Sequence, residues 1–143
     1  MSPALFSVGY EGRTLDELLE LLRSHAVTVL ADVRYNAISR KPGFSKRAFG
    51  AALAEAGIEY RHLRALGNPK DNRAAFHAGD VRGGVAAFEA LLSGEPQRAA
   101  LADLAALAET ERVAVLCFER DHERCHRQAV LAALPGGTNA TRL

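Results

Sequence analysis

Tryptophan is missing from this chain, methionine occurs once and cysteine twice. Two cysteines cannot build the multi-bridge framework on which small secreted domains rely, so the fold has to rest on an apolar core. Long apolar runs are missing too. No stretch approaches the roughly 18 apolar residues that a membrane helix requires, so a soluble protein with no membrane partner is expected. An excess of one charge is also lacking: 18 Lys and Arg stand against 17 Asp and Glu, for a formal net charge of +1. That balance excludes a global attraction to nucleic acid or membrane, and any affinity for anions must come from local clustering. The opening MSPALFSVGYEG has no basic segment followed by an apolar stretch and a cleavage site, so no secretory leader is read there. With only two cysteines, the expected setting is a reducing, cytoplasmic one.

What is present is 143 residues of which 48% are hydrophobic, enough for one domain with a real core. Leu5 to Gly9 (LFSVG), Val27 to Val33 (VTVLADV), Ile58 to Leu63 (IEYRHL) and Val113 to Phe118 (VAVLCF) are short apolar or β-branched runs that predict strands. Between the first two, Leu15, Leu18, Leu19 and Leu22 recur at helical spacing from Thr14 to His25, and Thr14 with Glu17 forms a capping box. Ser45 is placed to cap a second helix carrying Ala48, Phe49, Ala52, Leu53 and Ala56 on one face, closed by Gly57. A polar stretch (GNPKDNR, then HAGDVRGG) precedes helical segments around Val85 to Leu92 and Gln97 to Glu109. A last helix is expected within Asp121 to Leu134, capped by Asp121, and ending at Pro135-Gly136-Gly137. Strands alternating with helices predict an α/β, Rossmann-like fold with a mostly parallel sheet and helices on both faces. The expected domain covers residues 1–137, with 138–143 as a short, frayed polar tail.

In open α/β sheets ligands bind beyond the carboxyl ends of the strands. Tyr10 follows the first strand, Asp32 and Arg34 end the second, and Glu119 follows the last. A parallel sheet brings these exits to one edge, where they are expected to share a site. The segment Arg34 to Arg47 (RYNAISRKPGFSKR) is the one cationic block without an acid. Its Lys41-Pro42-Gly43 turn leads into Ser45 at a helix N-terminus, a place that favours a phosphate, a carboxylate or a nucleic-acid backbone. The P-loop spacing is not there. Phe44 either staples the helix start or stacks on a base. Asp32 and Glu119 each suit a general base or a brace for an arginine, and the sequence does not separate the two.

CFERDHERCHR, residues 117–127, concentrates both cysteines with His122 and His126. A metal site is not expected: on a helix capped by Asp121, Cys125 and His126 would be neighbours about 100° apart, awkward for joint ligation. A phosphatase-like or rhodanese-like thiolate loop fails as well, because Glu123 occupies the place of the closing arginine and Arg124 falls one position late. Cys117 fits a small apolar core residue at the end of a buried strand. Cys125, near a helix start beside Arg124, His126 and Arg127, fits either an inert residue or a thiol of lowered pKa.

VGYEGRTLDELLELL, ADVRYNAISRKPGFSK and LCFERDHERCHR, in that order and spacing, closely resemble the bacterial and archaeal family catalogued as domain of unknown function 488. The resemblance runs from about Phe6 to Leu134 and implies a Rossmann-like α/β domain. The matching positions are Gly9, Tyr10, Asp32, Arg34, Ser39, Arg40, Phe44, Cys117, Glu119, Cys125, His126 and Arg127. Members often carry proline where this chain has Ala37 and His122. The family label implies no established reaction and names no cofactor.

Three functional classes follow. The leading one is an enzyme for a phosphate-bearing or other anionic substrate, a nucleotide or nucleic-acid component. Arg34, Ser39, Arg40, Lys41 and Arg127 would hold the anion, with Tyr10 supplying a hydroxyl and Phe44 a ring. Asp32 or Glu119 would do acid–base work, with Cys125 and His126 lining the pocket. The alternatives are a non-catalytic nucleic-acid-binding module built on the Arg34 to Arg47 block, and a cysteine-dependent enzyme or redox sensor.

Overall fold

The computed structural model describes residues 2–143. Strands β1 (Ala4–Gly9), β2 (Val29–Asp32), β3 (Glu59–His62), β4 (Arg112–Cys117) and β5 (Thr141–Arg142) form one sheet in the order β3-β2-β4-β1-β5. Every pairing is parallel. Parallel neighbours require crossovers, supplied by α1 (Leu15–Ser24), α2 (Lys46–Glu55), α3 (Lys70–His77), α4 (Val81–Leu91), α5 (Glu95–Thr110) and α6 (Arg127–Ala132). The chain therefore has the α/β architecture that its alternating pattern predicts. No helix among the described residues is long and apolar enough to cross a membrane.

Side-chain alternation splits the core across the sheet. Ala114 and Leu116 of β4 join Phe6, Val8 and Leu30 beneath α1 and α2, where Leu18, Leu22, Phe49 and Leu53 are buried. Val113, Val115 and Cys117 face the other way, with Val29, Ala31 and Val33, against α4, α5 and α6. The capping box of α1 forms as expected, with Thr14 accepting from the Glu17 N–H and Glu17 accepting from the Thr14 N–H. Beyond α2, Gly57 takes the left-handed conformation with φ +77°, the helix stop that glycine tolerates best.

Three expectations need correction. The polar stretch after β3 contains a whole helix, α3, which buries no residue fully and so carries no apolar stripe to announce it. The tail is ordered by pairing: Phe6 aligns with Thr141 and Ser7 with Arg142, and the Leu143 N–H donates to the Ser7 carbonyl at 2.8 Å. The last helix is broken in two. Asp121 caps only a single 3₁₀ turn, His122–Arg124, after which Cys125 is extended (φ −129°, ψ 146°) and α6 begins at Arg127.

Candidate functional site

Asp32 and Cys117 end neighbouring strands, yet their side chains leave opposite faces of the sheet. Asp32 aligns with Leu116 in the β2–β4 register, and so shares the α1/α2 face. There its carboxylate accepts from Arg34 Nε (2.9 Å) and Nη2 (2.7 Å), from the Arg34 backbone N–H (3.0 Å) and from Tyr60 Oη (2.7 Å). Arg34 Nη1 donates to the Phe44 carbonyl (2.7 Å) and to Tyr10 Oη (3.2 Å). Burial alone would lower the Arg34 pKa, but hydrogen bonds to Asp32 and its charge more than offset this and raise it. Burial, with the Asp32 carboxylate second, raises that of Tyr60. With its oxygens taken, Asp32 has the geometry of a brace, and Arg34 is fully engaged within the fold.

The cationic block folds over this pair. Phe44 is buried and stacks on Tyr10 with ring centroids 4.4 Å apart. It staples the turn into α2 and has no face open to a base. Ser45 precedes α2 as expected but makes no side-chain cap bond; its Oγ donates to the Ser39 carbonyl and accepts from the Ser39 N–H. The Lys46 N–H at the helix start is taken by the Ala37 carbonyl. Lys41 Nζ donates to the Tyr10 carbonyl at 3.2 Å. Arg40, Lys46 and Arg47 are exposed.

On the opposite face, Arg127 is completely buried. Its Nε donates to Ser7 Oγ (2.6 Å), while Nη1 reaches Cys117 Sγ (2.7 Å) and the Glu119 carbonyl (2.9 Å). Its Nη2 finds no partner among the described residues. Burial lowers its pKa to about 10, partly offset by Glu119. Ser7 Oγ is in turn hydrogen-bonded to His122 Nδ1 at 2.6 Å. Glu119 Oε2 lies 3.4 Å from Cys117 Sγ. Gly9 is required where β1 exits, since a β-carbon there would collide with the Glu119 carbonyl.

Cys117 and Cys125 bring their Sγ atoms together, with Cα atoms 7.6 Å apart. Sequence reasoning takes the two cysteines one at a time and misses this juxtaposition. Its cause is the break in the last helix, which turns Cys125 back onto the end of β4. His126 Nε2 donates to the Val33 carbonyl at 2.8 Å, leaving Nδ1 facing Cys125 Sγ at 3.6 Å. Burial pushes the His126 pKa down to about 4, so the ring is neutral at pH 7. The premise that set metal ligation aside therefore fails: Cys125 and His126 do not sit on one helix, and the ligand atoms of Cys117, Cys125 and His126 lie within 4.8 Å of one another.

A pocket of about 490 Å³, counting its open mouth, lies over this cluster at the C-terminal edge. Its wall includes Cys117, Glu119, Cys125 and His126, together with Asn68, Arg73 and Arg124. Arg73 Nε is buried without a hydrogen-bond partner among the described residues. Arg34 also lines the pocket, but its guanidinium is spent on Asp32 across the sheet, so Arg34 and Arg127 do not converge on one ligand. Sequence reasoning missed Arg73 because it missed α3, and missed Ser7 because a serine within an apolar strand reads as filler.

No curated protein and no solved structure matches the chain. The model of the family described as "Domain of unknown function DUF488" matches residues 14–134, which include the Asp32–Arg34 brace and the whole Cys117–Arg127 cluster, and the chain belongs to that family.

Proposed function

We propose that this chain is an enzyme for a small anionic, phosphate-bearing substrate, bound in the pocket above Cys117, Cys125 and His126. The observation that carries this is Arg73: it lines the pocket and has a buried Nε without an acceptor among the described residues. A buried N–H donor left unpaired costs about 1–3 kcal/mol, which an anion would recover. Arg124 adds a second cation to the wall, against one carboxylate, Glu119. The role of holding the anion thus passes from Arg34 and Lys41, which are tied up inside the fold, to Arg73 and Arg124. Acid–base work falls to Glu119, which lines the pocket, and not to Asp32, which is occupied by Arg34 and Tyr60.

Calorimetric titration with inorganic phosphate and with nucleoside monophosphates tests the binding, and turnover of a phosphate-ester panel tests the catalysis. Arg73→Ala is expected to weaken binding about tenfold or more, consistent with a charge-assisted hydrogen bond of about 1.5–3 kcal/mol. Lys46→Ala and Arg47→Ala should leave it unchanged. Binding that falls with Arg47→Ala, is insensitive to Arg73→Ala and weakens steeply with salt in the presence of DNA or RNA would replace this function by the nucleic-acid-binding one.

A further inference from the structure

We propose that the dithiol form of this chain binds one thiophilic divalent cation of the zinc type through Cys117 Sγ, Cys125 Sγ and His126 Nδ1. The three ligand atoms already lie within 4.8 Å of one another. With bonds of about 2.3 Å to sulfur and about 2.0 Å to nitrogen, a tetrahedral ion sets its ligand atoms roughly 3.5 Å apart. The separation of Cys125 Sγ from His126 Nδ1 is 3.6 Å.

The backbone suits an ion between the sulfurs. Cα atoms 7.6 Å apart exceed the roughly 4.4–6.8 Å that disulfides span. Two thiolates sharing an ion need the wider spacing, since their sulfurs stay nearly 4 Å apart.

The surroundings are those of a built ligand set. His126 holds its Nε2 proton on the Val33 carbonyl, the outer contact that fixes which ring nitrogen faces a metal. Both sulfurs receive N–H donors from Arg127: Nη1 to Cys117 Sγ at 2.7 Å and the backbone N–H to Cys125 Sγ at 3.4 Å. Two soft thiolates and an imidazole select zinc over magnesium or calcium. Glu119, against Cys117 but outside the three-atom cluster, answers the charge of Arg127. Three protein ligands leave the fourth position open, as in sites that admit water or substrate. Binding forms two S–metal bonds and releases the two thiol protons to solvent.

The test uses the full chain kept reduced with a phosphine. Equimolar Co²⁺ is expected to give sulfur-to-cobalt charge-transfer absorption with intense visible bands. Addition of Co²⁺ or Zn²⁺ to the metal-free dithiol should release about two protons at a pH where both thiols start protonated, and Zn²⁺ should then displace the cobalt one for one with no further release. Zn²⁺ should also slow alkylation of both cysteines at least tenfold. Cys125→Ser should halve the charge-transfer intensity and weaken Zn²⁺ binding by about 100-fold or more, beyond what loss of an outer contact costs. Where that variant does not fold, the wild-type absorption and alkylation rates decide. A reduced wild-type chain with no charge-transfer band, or with alkylation rates indifferent to Zn²⁺, overturns the site. Phosphate binding by the oxidised chain is measured separately, so loss of the metal site and loss of the anion function are distinguishable.

Discussion

Arg127 donates to the sulfur of Cys117 at 2.7 Å and, through Nε, to the hydroxyl of Ser7 at 2.6 Å, tying the first helical residue of α6 to two adjacent strands. Arg127→Leu keeps much of the volume but leaves Ser7 and the Glu119 carbonyl without their donor. Buried groups stranded in this way cost about 1–3 kcal/mol each. The expected loss is about 2–4 kcal/mol in urea unfolding, with Arg127→Lys recovering only part because lysine lacks the planar fork. A loss below about 1 kcal/mol would show that the guanidinium is dispensable for stability.

The Asp32–Arg34 pair predicts an asymmetric mutant cycle. Removing one partner of a buried ion pair costs about 3–5 kcal/mol, while removing both costs less than the sum of the single changes. Asp32→Asn and Arg34→Gln should each fall in that range, and the double variant should be less destabilised than additivity requires. Tyr60→Phe removes one donor to the carboxylate and should cost about 1 kcal/mol. Additive single changes in denaturant midpoints would contradict the coupling.

Acid should weaken the fold in a defined window. Burial lowers the pKa of both His122 and His126 from 6.5 to about 4. Arg142 and Arg127 press on His122 in the same direction, opposed by Glu123 and Asp121; Arg127 and Arg73 do so on His126, opposed by its backbone hydrogen bonds to Val33 and Leu66. A histidine held neutral when folded binds more protons when unfolded, so stability is full above about pH 6.5 and falls as pH drops toward 4. His126, the more buried, should contribute a slope of about 1 kcal/mol per pH unit, with a smaller share from the partly exposed His122. Unfolding midpoints of His126→Asn that keep the wild-type acid slope would remove His126 from this account.

Gly9→Ala places a β-carbon against the Glu119 carbonyl, and backbone cannot yield as a flexible side chain can. The carbonyl would have to move, carrying its bond from Arg127 Nη1. The expected loss is about 2 kcal/mol or more in thermal or chemical unfolding. Ser7→Ala, which keeps the backbone in place, should cost about 1 kcal/mol, and the contrast separates crowding from lost hydrogen bonding.

Much of the fold was legible because its signals are local. Thr14 and Glu17 cap α1 through groups three residues apart, and Gly57 stops α2 through its own dihedrals. The short parallel strands β1, β2 and β4 announced themselves as apolar runs. α3 was illegible because no residue in it is fully buried, and β5 because two exposed residues paired to β1 leave no pattern. Asp121 did supply a cap, but nothing near Cys125 says that the turn it starts will stop after one round. The break brings Cys125 onto the end of β4, eight residues back in the chain, a contact that no local pattern announces. The candidate site was half legible for the same reason. Residue types at the strand exits were plain, whereas the division of Asp32 and Cys117 between faces depends on the β2–β4 register, which no single strand contains.

That division is not insulation. Asp32 fixes both ends of Arg34, its backbone N–H and its guanidinium, and the peptide unit that carries this N–H has as its carbonyl that of Val33, which receives the Nε2 proton of His126. One peptide unit therefore belongs to an ion pair on the α1/α2 side and to an imidazole on the α6 side. The carbonyl of that unit holds the Nε2 proton and leaves Nδ1 toward Cys125, so a carboxylate that never touches the sulfurs braces the peptide against which the imidazole beside them rests.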